Sequence, residues 1–435
     1  MNPFNDARDW FLEKRYGLFV HWGIYSVNAW HEQDMWRRSI PRGEYEKLAE
    51  KFNPEKFDPD AWLDLAEEAG MQSITITAKH HDGFCMWDTK QTDFNIMNTP
   101  YAKDPIAMLA EACHARAFPL RFYYSIVDWH HPNYPTHGSH HEMAAPLAGD
   151  EPDREKYVAF LRAQIEELCT TYGEIHGIWW DMNTMRHHDE KYGDPSINEM
   201  IRKLQPKAVI NNRGFDDGDF GTPERDFHKI AGESGLQRRT EACQSLGSTS
   251  WGYREAEDYY THGHLVRSID GFMARGANYL LNVGPRADGT IDPKNAKMLR
   301  GIGAWYASIK ESFDEVEQAS GLVENTSIHL TRRGDTLYVH MPKALITESI
   351  DLYPLPVAPK VATLLNTGEM VEAALEITPS RWQTKAPYLR LRNLPVSRLA
   401  DTAGVVRLEF APGALPYEDR KVEKPKGDAV DPNVM

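Results

Sequence analysis

The sequence predicts an α/β fold, a (β/α) barrel of the TIM type, followed by a C-terminal antiparallel β-sandwich. Over the first three-quarters of the 435 residues, short apolar runs alternate with segments of helical periodicity, which is typical of parallel βαβ units. Each apolar run ends in a cluster of polar and aromatic residues, as expected where working side chains project from the strand ends of a barrel. The remaining quarter changes to alternating apolar residues with turn signals between them, the pattern of a sandwich.

Helix starts are marked four times by an Asp-Pro pair. Asp accepts the free N–H groups of a first helical turn, and Pro fits the first helical position because it has no N–H to leave unpaired. After Asp58-Pro59 the apolar residues recur at helical spacing until Gly70 ends the helix. The same signal predicts helices at Asp104-Pro105, Asp194-Pro195 and Asp292-Pro293.

Six short apolar runs suit buried parallel strands. They are Gly17–Val20, Ser73–Ala78, Leu120–Ser125, Gly177–Trp180, Ala208–Asn211 and Ala277–Val283. The clusters that follow them read HWG, KHHDGF, YYS, WWDMN, NNRG and NVGP. A doubly wound sheet would gather its ligand groups at one switch point and use a Gly-rich phosphate loop. The sequence has no such loop, so the barrel is favoured.

We predict a catalytic barrel domain over residues 1–315 and a β-sandwich domain over residues 320–415. Segments such as SIHLTRRGDTLYVHM and GVVRLEF alternate apolar and polar residues, with a turn signal at Arg333-Gly334-Asp335. The final segment, residues 416–435, is charged and contains Pro and Gly, so we expect a disordered tail.

Composition limits the class of partner and the compartment. The formal net charge is −15, which argues against nucleic acid because an acidic chain repels phosphates. Four scattered cysteines without a CxxC pair predict reduced thiols. The N-terminus lacks an apolar signal-peptide region, and no apolar run reaches membrane-spanning length. We therefore expect a soluble, cytoplasmic protein without a membrane partner, and a homo-oligomer is compatible with the sequence.

The strand-end clusters bring aromatic rings and neutral hydrogen-bonding groups to one barrel mouth. Sugars need this combination, because their C–H faces stack on rings and each hydroxyl requires a directional partner. Single His or Trp residues of this kind are commonly core residues, but the whole series at strand ends indicates a site. Its members are His21, Trp22, His80, His81, Asp82, Tyr123, Tyr124, Trp179, Trp180, Asp181, Asn212 and Arg213.

No metal or other cofactor is predicted. His80 and His81 are adjacent, and neighbours on a strand point to opposite faces, so one ion cannot easily bind both. The chain has neither HxH on a predicted strand nor HExxH on a predicted helix.

Cleavage of a glycosidic bond usually requires two carboxyl groups, a nucleophile or base and an acid. Asp181 is the best nucleophile candidate because it ends the apolar strand GIWW directly at the mouth. Glu224, Glu233 and Glu241 all follow the cluster NNRG, and their spacing alone does not decide which of them is the acid.

Eight blocks of the sequence resemble glycoside hydrolase family 29, the α-L-fucosidases. The resemblance extends from about Trp10 to Trp305, and the blocks HWGxYS, KHHDGF and LLNxGPxxDGTI are together highly specific. It implies a barrel followed by a β-sandwich, and hydrolysis with retention through a fucosyl-enzyme intermediate. The blocks are RYGLFVHWGIYSV, ITAKHHDGFCMWDTKQTDFN, YYSIVDWHHPNY, YGEIHGIWWDMN, VINNRG, GDFGTPE, EACQSLGSTSWGY and NYLLNVGPRADGTI.

The resemblance assigns roles to individual residues. It implies that Asp181 is the nucleophile and that Glu224, of the TPE block, is the acid/base, with Glu241 as the alternative. Glu32 is the nearest match to a sugar-contacting Glu after the first strand, although VNAWHEQDMW replaces the familiar VPAW…EWY pattern here. The same loop, through Arg37, Arg38 and Arg42, is a candidate subsite for the group that carries the fucose. Matching fucose contacts are His21, His80, His81, Tyr124, Trp179 and Arg213.

We therefore expect a retaining exo-α-L-fucosidase that acts on fucosylated oligosaccharides or glycosides. One alternative is a related specificity such as α-L-galactoside, which differs from fucoside by one hydroxyl. A second is a fucose-binding barrel that has lost turnover, and a third is a metal-dependent barrel hydrolase. Linkage, aglycone, oligomeric state and the role of the β-sandwich are left open by the sequence.

Overall fold

The computed structural model describes residues 3–182, 194–225, 236, 238–377, 379, 382 and 385–415. The chain divides into two compact units. Within the described residues, the first unit comprises 3–182, 194–225, 238–259 and 278–300, and the second comprises 236, 260–277 and the part from 301 to 415. These units are not the continuous segments 1–315 and 320–415, whose boundaries stay a prediction, and the tail from 416 lies outside the described residues.

Seven parallel strands form the sheet of the first unit. Their order in the sheet is β5-β4-β3-β2-β1-β7-β6. All six strands that the sequence predicted are present, and the barrel-type fold is confirmed. The strands are β1 (Tyr16–Val20), β2 (Ile74–Lys79), β3 (Leu120–Ser125), β4 (Gly177–Asp181), β5 (Val209–Ile210), β6 (Glu241–Ser245) and β7 (Asn278–Val283).

The gap between β5 and β6 is bridged by an extended segment, residues 220–224, which the sequence did not predict. Phe220 forms a parallel bridge with Asn211, and Glu224 forms one with Cys243 of β6. The backbone N–H of Cys243 donates to the carbonyl of Pro223 at 3.0 Å. This segment closes the ring of strands and carries Glu224 to the carboxyl-terminal end of the barrel.

Four aspartates cap helices as predicted. Asp58 accepts from the N–H groups of Asp60 and Ala61, at 3.0 and 3.2 Å, and Asp104, Asp194 and Asp292 each accept from a first-turn N–H. The α-helices are α1 (Trp10–Glu13), α2 (Asp34–Arg37), α3 (Arg42–Tyr45), α4 (Pro59–Glu68), α5 (Pro105–Ala115), α6 (Arg154–Thr171), α7 (Pro195–Leu204), α8 (His262–Met273), α9 (Pro293–Ile309) and α10 (Val396–Leu399). The 3₁₀ helices are Ile24–Val27, Glu46–Lys51, Ile96–Asn98, Lys310–Ser312 and Ser320–Leu322.

The second unit contains two antiparallel sheets, of six and three strands, which confirms the predicted C-terminal architecture. Leu330, Leu337 and Val406 of the larger sheet share an apolar core with Leu352 and Leu389 of the smaller one. The strands are β8 (Glu317–Gln318), β9 (His329–Arg333), β10 (Thr336–Met341), β11 (Ile350–Leu352), β12 (Val361–Leu364), β13 (Glu369–Met370), β14 (Glu372–Glu376), β15 (Tyr388–Arg392) and β16 (Gly404–Glu409).

The sequence also predicted reduced thiols and no membrane-spanning segment. Cys85, Cys113, Cys169 and Cys243 are buried free thiols. Within the described part of the chain, no helix combines the length and the apolar character needed to cross a membrane.

Candidate active site

A cavity of about 330 Å³ lies in the first unit, where the strands of the barrel end. Its volume is at the small end of the range for ligand clefts, roughly 300–1,000 Å³. Of the ten residues to which the resemblance gives a catalytic or fucose-contacting role, eight line it, whereas Tyr124 and Glu241 do not. The lining residues are Phe19, His21, His31, Glu32, Gln33, Arg37, His80, His81, Tyr123, His141, Trp179, Asp181, Met182, Arg213, Glu224, Arg225, Cys243, Ser248, Thr249 and Trp251.

Asp181 ends β4 and presents a largely buried carboxylate to the cavity. Its Oδ2 accepts from the hydroxyl of Tyr123 at 2.7 Å, and its Oδ1 accepts from Nη1 of Arg213 at 2.8 Å. Burial alone would raise the pKa of Asp181, but the charge of Arg213 and these hydrogen bonds lower it below its usual value. Asp181 is therefore a carboxylate, not a carboxylic acid, at neutral pH.

Arg213 joins the two candidate catalytic carboxyl groups. While Nη1 binds Asp181, Nη2 donates to Oε2 of Glu224 at 3.0 Å. The guanidinium carbon lies 4.7 Å from the ring centre of Trp179, and Nε donates to the hydroxyl of Thr222 at 2.8 Å. The guanidinium group of Arg213 thus holds Asp181 and Glu224 on the same cavity wall. This geometry suits the two-carboxylate chemistry of a glycosidase.

Glu224 differs from Asp181 in its exposure to water. Its side chain is 39% exposed, compared with 13% for Asp181. The backbone is fixed on both sides, because the N–H of the following residue, Arg225, donates to the carbonyl of Cys243 at 3.0 Å. A carboxyl group so placed can reach solvent and a departing group at the same time.

Three histidines in the cavity are neutral at physiological pH. Burial lowers the pKa of His21 to about 4, and burial together with neighbouring histidines lowers the pKa of His80 and His81 well below the usual value. Each neutral imidazole offers one N–H donor and one nitrogen acceptor. The histidines therefore provide hydrogen bonds for hydroxyl groups without adding positive charge.

The neighbours of two of these rings fix their tautomers. Asn282 donates through Nδ2 to Ser245 and Trp251, so its Oδ1 accepts from Nδ1 of His21 at 2.6 Å. Nδ1 of His81 lies 2.6 Å from the hydroxyl oxygen of Ser125, which itself donates to a carbonyl. In both rings Nδ1 carries the proton, and Nε2 is left as an acceptor for a ligand hydroxyl.

His80 and His81 both line the cavity, which corrects the expectation that adjacent residues point apart. Their ring centres lie 4.2 Å from each other. The reason is that β2 ends at Lys79, so both histidines belong to the following turn, where strand alternation does not apply. Among the described residues there is nevertheless no group of three or more His, Cys, Asp or Glu side chains suited to a metal ion.

Glu32 is a buried carboxylate held by the loop that follows β6. Its Oε2 accepts from the hydroxyl of Ser250 at 2.8 Å and from the backbone N–H groups of Trp251 and Gly252 at 2.9 and 3.1 Å. Burial would raise its pKa, but neighbouring histidines and the N–H of Gly252 hold the pKa at about 2. The altered loop pattern VNAWHEQDMW thus still delivers a carboxylate to the cavity.

Aromatic rings form the apolar part of the cavity wall. Tyr123 stacks on Trp179 with ring centres 5.8 Å apart and an angle of 17° between the rings. Phe19 lies against Trp179, and His21 lies against Trp251 at 5.3 Å. Such a wall can pack against the C–H face of a pyranose ring.

Tyr124 was predicted to contact the ligand, and the structure corrects this placement. Its hydroxyl donates to Oε1 of Gln164 on α6 at 2.6 Å, away from the cavity. Tyr123 lines the cavity instead. Successive strand residues face opposite sides, and on β3 the inward positions are those of Arg121, Tyr123 and Ser125.

Glu241, the alternative acid, is buried in the barrel interior below the cavity. Its two oxygens accept from Nη2 and Nη1 of Arg121 at 2.8 and 3.0 Å, and Oε2 also accepts from the indole N–H of Trp179 at 3.2 Å. This geometry suits a residue that supports Trp179, not one that protonates a leaving group. The third candidate, Glu233, lies outside the described residues.

Sequence reasoning overlooked several cavity residues on long loops. His31, His141, Arg225 and Trp251 line the cavity, but they are far from any predicted strand end. Signals existed for two of them: the block EACQSLGSTSWGY contains Trp251, and the loop VNAWHEQDMW contains His31 next to Glu32. Conversely, Trp180 was predicted to belong to the site, but its side chain points away from the cavity. Its indole N–H donates to Oδ1 of Asn198 on α7 at 3.0 Å.

Comparisons with known proteins give one consistent family. Residues 3–311 match the family model for α-L-fucosidase. The tissue α-L-fucosidase of Bos taurus is 25% identical over 413 residues, covering 87% of this chain and 84% of the bovine one. Isoenzyme 1 of the Paenibacillus thiaminolyticus α-L-fucosidase is 34% identical with a TM-score of 0.81, covering 93% of this chain and 99% of that chain.

A second similar structure holds a reaction intermediate. It is a family 29 α-L-fucosidase of Bacteroides thetaiotaomicron, trapped as a covalent intermediate with 2-fluoro-fucosyl fluoride. It is 24% identical with a TM-score of 0.76, and the match covers 94% of this chain and 97% of that one. At this identity the likeness concerns the fold.

Proposed function

Because this chain belongs to the α-L-fucosidase family, glycoside hydrolase family 29, we propose that it is a retaining exo-α-L-fucosidase with Asp181 as nucleophile and Glu224 as acid/base. The observation that carries this proposal is that the guanidinium group of Arg213 binds the carboxyl groups of Asp181 and Glu224 at one cavity. The substrate class is a terminal α-L-fucosyl residue on a glycan or glycoside. The covalent intermediate trapped in the Bacteroides relative supports retention.

The reaction has two displacement steps. First, a carboxylate oxygen of Asp181 attacks the anomeric carbon from the β face, while the C–O bond to the leaving group breaks. Glu224 gives its proton to the departing oxygen, and a β-fucosyl ester of Asp181 forms. In the second step Glu224 takes a proton from water, whose oxygen attacks the same carbon from the α face and releases Asp181.

The electrostatics of the cavity suit the role of Asp181 and sugar binding by the histidines. Asp181 is kept ionised by Arg213 and Tyr123, so it can act as a nucleophile at neutral pH. The neutral His21 and His81 leave their Nε2 atoms as acceptors for sugar hydroxyls. A small cavity with this lining fits one terminal sugar, which is why an exo-acting enzyme is proposed.

The function is tested by incubating the purified protein with 4-nitrophenyl α-L-fucoside and following the first-formed sugar by NMR. We expect release of fucose as the α-anomer, which then equilibrates to the mixture. Parallel assays with the aryl α-L-galactoside measure the related specificity. Hydrolysis of the galactoside alone, binding of fucose without turnover, or β-fucose as first product would each contradict the proposal.

Tyr123 and Tyr124 provide a matched pair of substitutions. Tyr123→Phe removes the hydroxyl that donates to Asp181, and a hydrogen bond to a charged group is worth about 1.5–3 kcal/mol. We expect kcat/KM to fall by about one to two orders of magnitude. Because that hydrogen bond helps to lower the pKa of Asp181, its loss should move the acidic limb of the pH profile of kcat/KM to higher pH.

Tyr124→Phe is the control, because it removes a hydroxyl that is equally buried but bonded to Gln164. It should lower the free energy of unfolding by about 1 kcal/mol and leave the pH profile in place. Kinetics over a range of pH and thermal unfolding of both variants distinguish these effects. A larger kinetic loss in Tyr124→Phe than in Tyr123→Phe would reverse the assignment of the two tyrosines.

A further inference from the structure

Two arginines at the cavity have no acidic partner among the described residues. Three arginines, Arg37, Arg38 and Arg42, lie between β1 and β2. Two of them form ion pairs: Arg38 with Asp34, and Arg42 with Asp150. Arg37 does not, although it lines the cavity. Arg225 also lines the cavity, and it too has no carboxylate partner in the described part of the chain.

Arg225 is held in place by groups that leave its charge unneutralised. Its Nη1 donates to the carbonyls of Gly247 and Ser248 at 3.2 and 2.9 Å, and its guanidinium carbon lies 4.5 Å from the ring centre of Trp251. Its backbone has φ of 53°, a left-handed conformation that is costly for a residue with a side chain and that the surrounding structure must hold in place. The guanidinium is thus oriented before any ligand binds.

Arg37 is oriented in a similar way from the opposite loop. Its Nε donates to Oε1 of Gln33 at 2.9 Å, and within the described ranges neither terminal nitrogen has a hydrogen-bond partner. Burial lowers the pKa of His31, a cavity residue, and the charges of Arg37 and Arg225 lower it further. Both positive charges therefore act on the same part of the cavity.

The carboxylates of the cavity do not use these two arginines. Asp181 and Glu224 bind Arg213, and Glu32 accepts from Ser250 and two backbone N–H groups. Among the described residues, the two terminal nitrogens of Arg37 and the Nε and Nη2 atoms of Arg225 therefore remain for a ligand.

The position of Arg225 indicates which part of a ligand it would meet. It directly follows Glu224, the proposed acid, whose proton goes to the oxygen of the leaving group. Its adjacency to Glu224 in the chain, together with the position of both residues in the cavity lining, assigns Arg225 to the leaving-group side. Guanidinium groups prefer carboxylate and sulfate oxygens, to which they donate two parallel hydrogen bonds.

We propose that Arg37 and Arg225 form a subsite for an anionic leaving group, a sugar that carries a carboxylate or a sulfate ester next to the fucosyl bond. This inference rests on the proposed fucosidase function and adds the chemical class of the aglycone. The preferred substrates are then fucosides of acidic glycans. Neutral fucosides are cleaved at the same bond, with lower kcat/KM.

The test compares three disaccharides with the same linkage: α-L-fucosyl-galactose, its galactose-sulfated form, and α-L-fucosyl-galacturonic acid. We expect kcat/KM of the wild-type protein for at least one charged disaccharide to exceed the neutral value about ten-fold. The better of the two charged substrates identifies sulfate or carboxylate as the anion. Added salt should reduce this ratio, because the subsite is open to solvent.

The ratio of kcat/KM for the charged disaccharide to kcat/KM for the neutral disaccharide should fall toward one in Arg37→Gln and in Arg225→Gln. Arg38→Gln is the matched control, since Arg38 lies on the same turn but is paired with Asp34, and it should keep the wild-type ratio. A wild-type ratio near one, or a high ratio that survives both substitutions, would overturn the subsite. Hydrolysis of 4-nitrophenyl α-L-fucoside is measured in parallel, so that failure of the subsite is distinguished from failure of the fucosidase function.

Discussion

Replacing Asp181 with alanine is expected to reduce kcat/KM for an aryl α-L-fucoside by several orders of magnitude while the protein still folds and binds fucose. The substitution removes the oxygen that forms the fucosyl ester, and no other described carboxylate takes its place at the end of β4. Steady-state kinetics measure the loss, and calorimetry with fucose measures the binding that remains. Thermal unfolding shows that the variant is folded.

A mechanism-based label identifies the nucleophile independently of the substitution. A 2-deoxy-2-fluoro-fucosyl reagent should form a stable ester on the peptide that contains Asp181, which mass spectrometry detects. Asp82→Asn is a suitable control, because Asp82 is also a buried aspartate, but its Oδ2 accepts from Tyr45 at 2.8 Å and it does not line the cavity. A label on another carboxylate, or turnover that survives Asp181→Ala, would rule out the assignment.

The fold could be predicted from sequence wherever its signals are local. The four Asp-Pro pairs cap helices because one side chain and the next three residues determine the cap. The six predicted strands are apolar runs. Asp181 and Arg213 were found for the same reason, since Asp181 directly follows such a run and Arg213 lies two residues after one.

The strand β6 was missed because its inward side chains are polar. Glu241 at its start is buried only because Arg121 reaches it from β3, 120 residues earlier in the chain. A local sequence pattern cannot indicate an ion-pair partner that is 120 residues away in the chain. The strand-end series contained both Tyr123 and Tyr124, and the resemblance selected Tyr124. Which of two adjacent residues faces inward depends on the register of β3, which an apolar run of six residues does not define.

The residues that surround the leaving-group side of the cavity were mostly beyond prediction. Arg225 and Trp251 come from connections after the extended segment 220–224 and after β6, whose paths depend on the closed barrel. The sequence did single out Arg37 in a candidate subsite, but together with Arg38 and Arg42. Arg37 differs from them because it lines the cavity, whereas Arg38 and Arg42 are in ion pairs with Asp34 and Asp150.

Substitutions of Glu224 and Glu241 are expected to differ in how strongly the loss of activity depends on the leaving group of the substrate. A poor leaving group needs a proton from the acid, whereas a good aryl leaving group departs without one. We expect Glu224→Ala to show little activity on a fucosylated oligosaccharide and partial activity on an aryl fucoside. Glu241→Gln should instead affect both substrates alike, because it acts through Trp179.

Stability gives a second contrast between the two residues. Removing one partner of a buried ion pair costs about 3–5 kcal/mol, and Arg121 and Glu241 are both almost fully buried. Glu241→Gln keeps the size of the side chain but removes the charge, so its melting temperature should fall by several degrees. Glu224→Ala should unfold close to the wild-type temperature, since the Glu224 side chain is 39% exposed.

Azide distinguishes the roles through the product that it forms. Without its base, the second step of Glu224→Ala should be slow with water, and azide can attack the fucosyl ester without deprotonation. Because azide then approaches from the face that Glu224 serves, the product should be α-fucosyl azide. In Asp181→Ala azide replaces the nucleophile itself and should give the β-anomer. If Glu241→Gln showed the leaving-group dependence and formed α-fucosyl azide while Glu224→Ala did neither, the acid/base role would belong to Glu241.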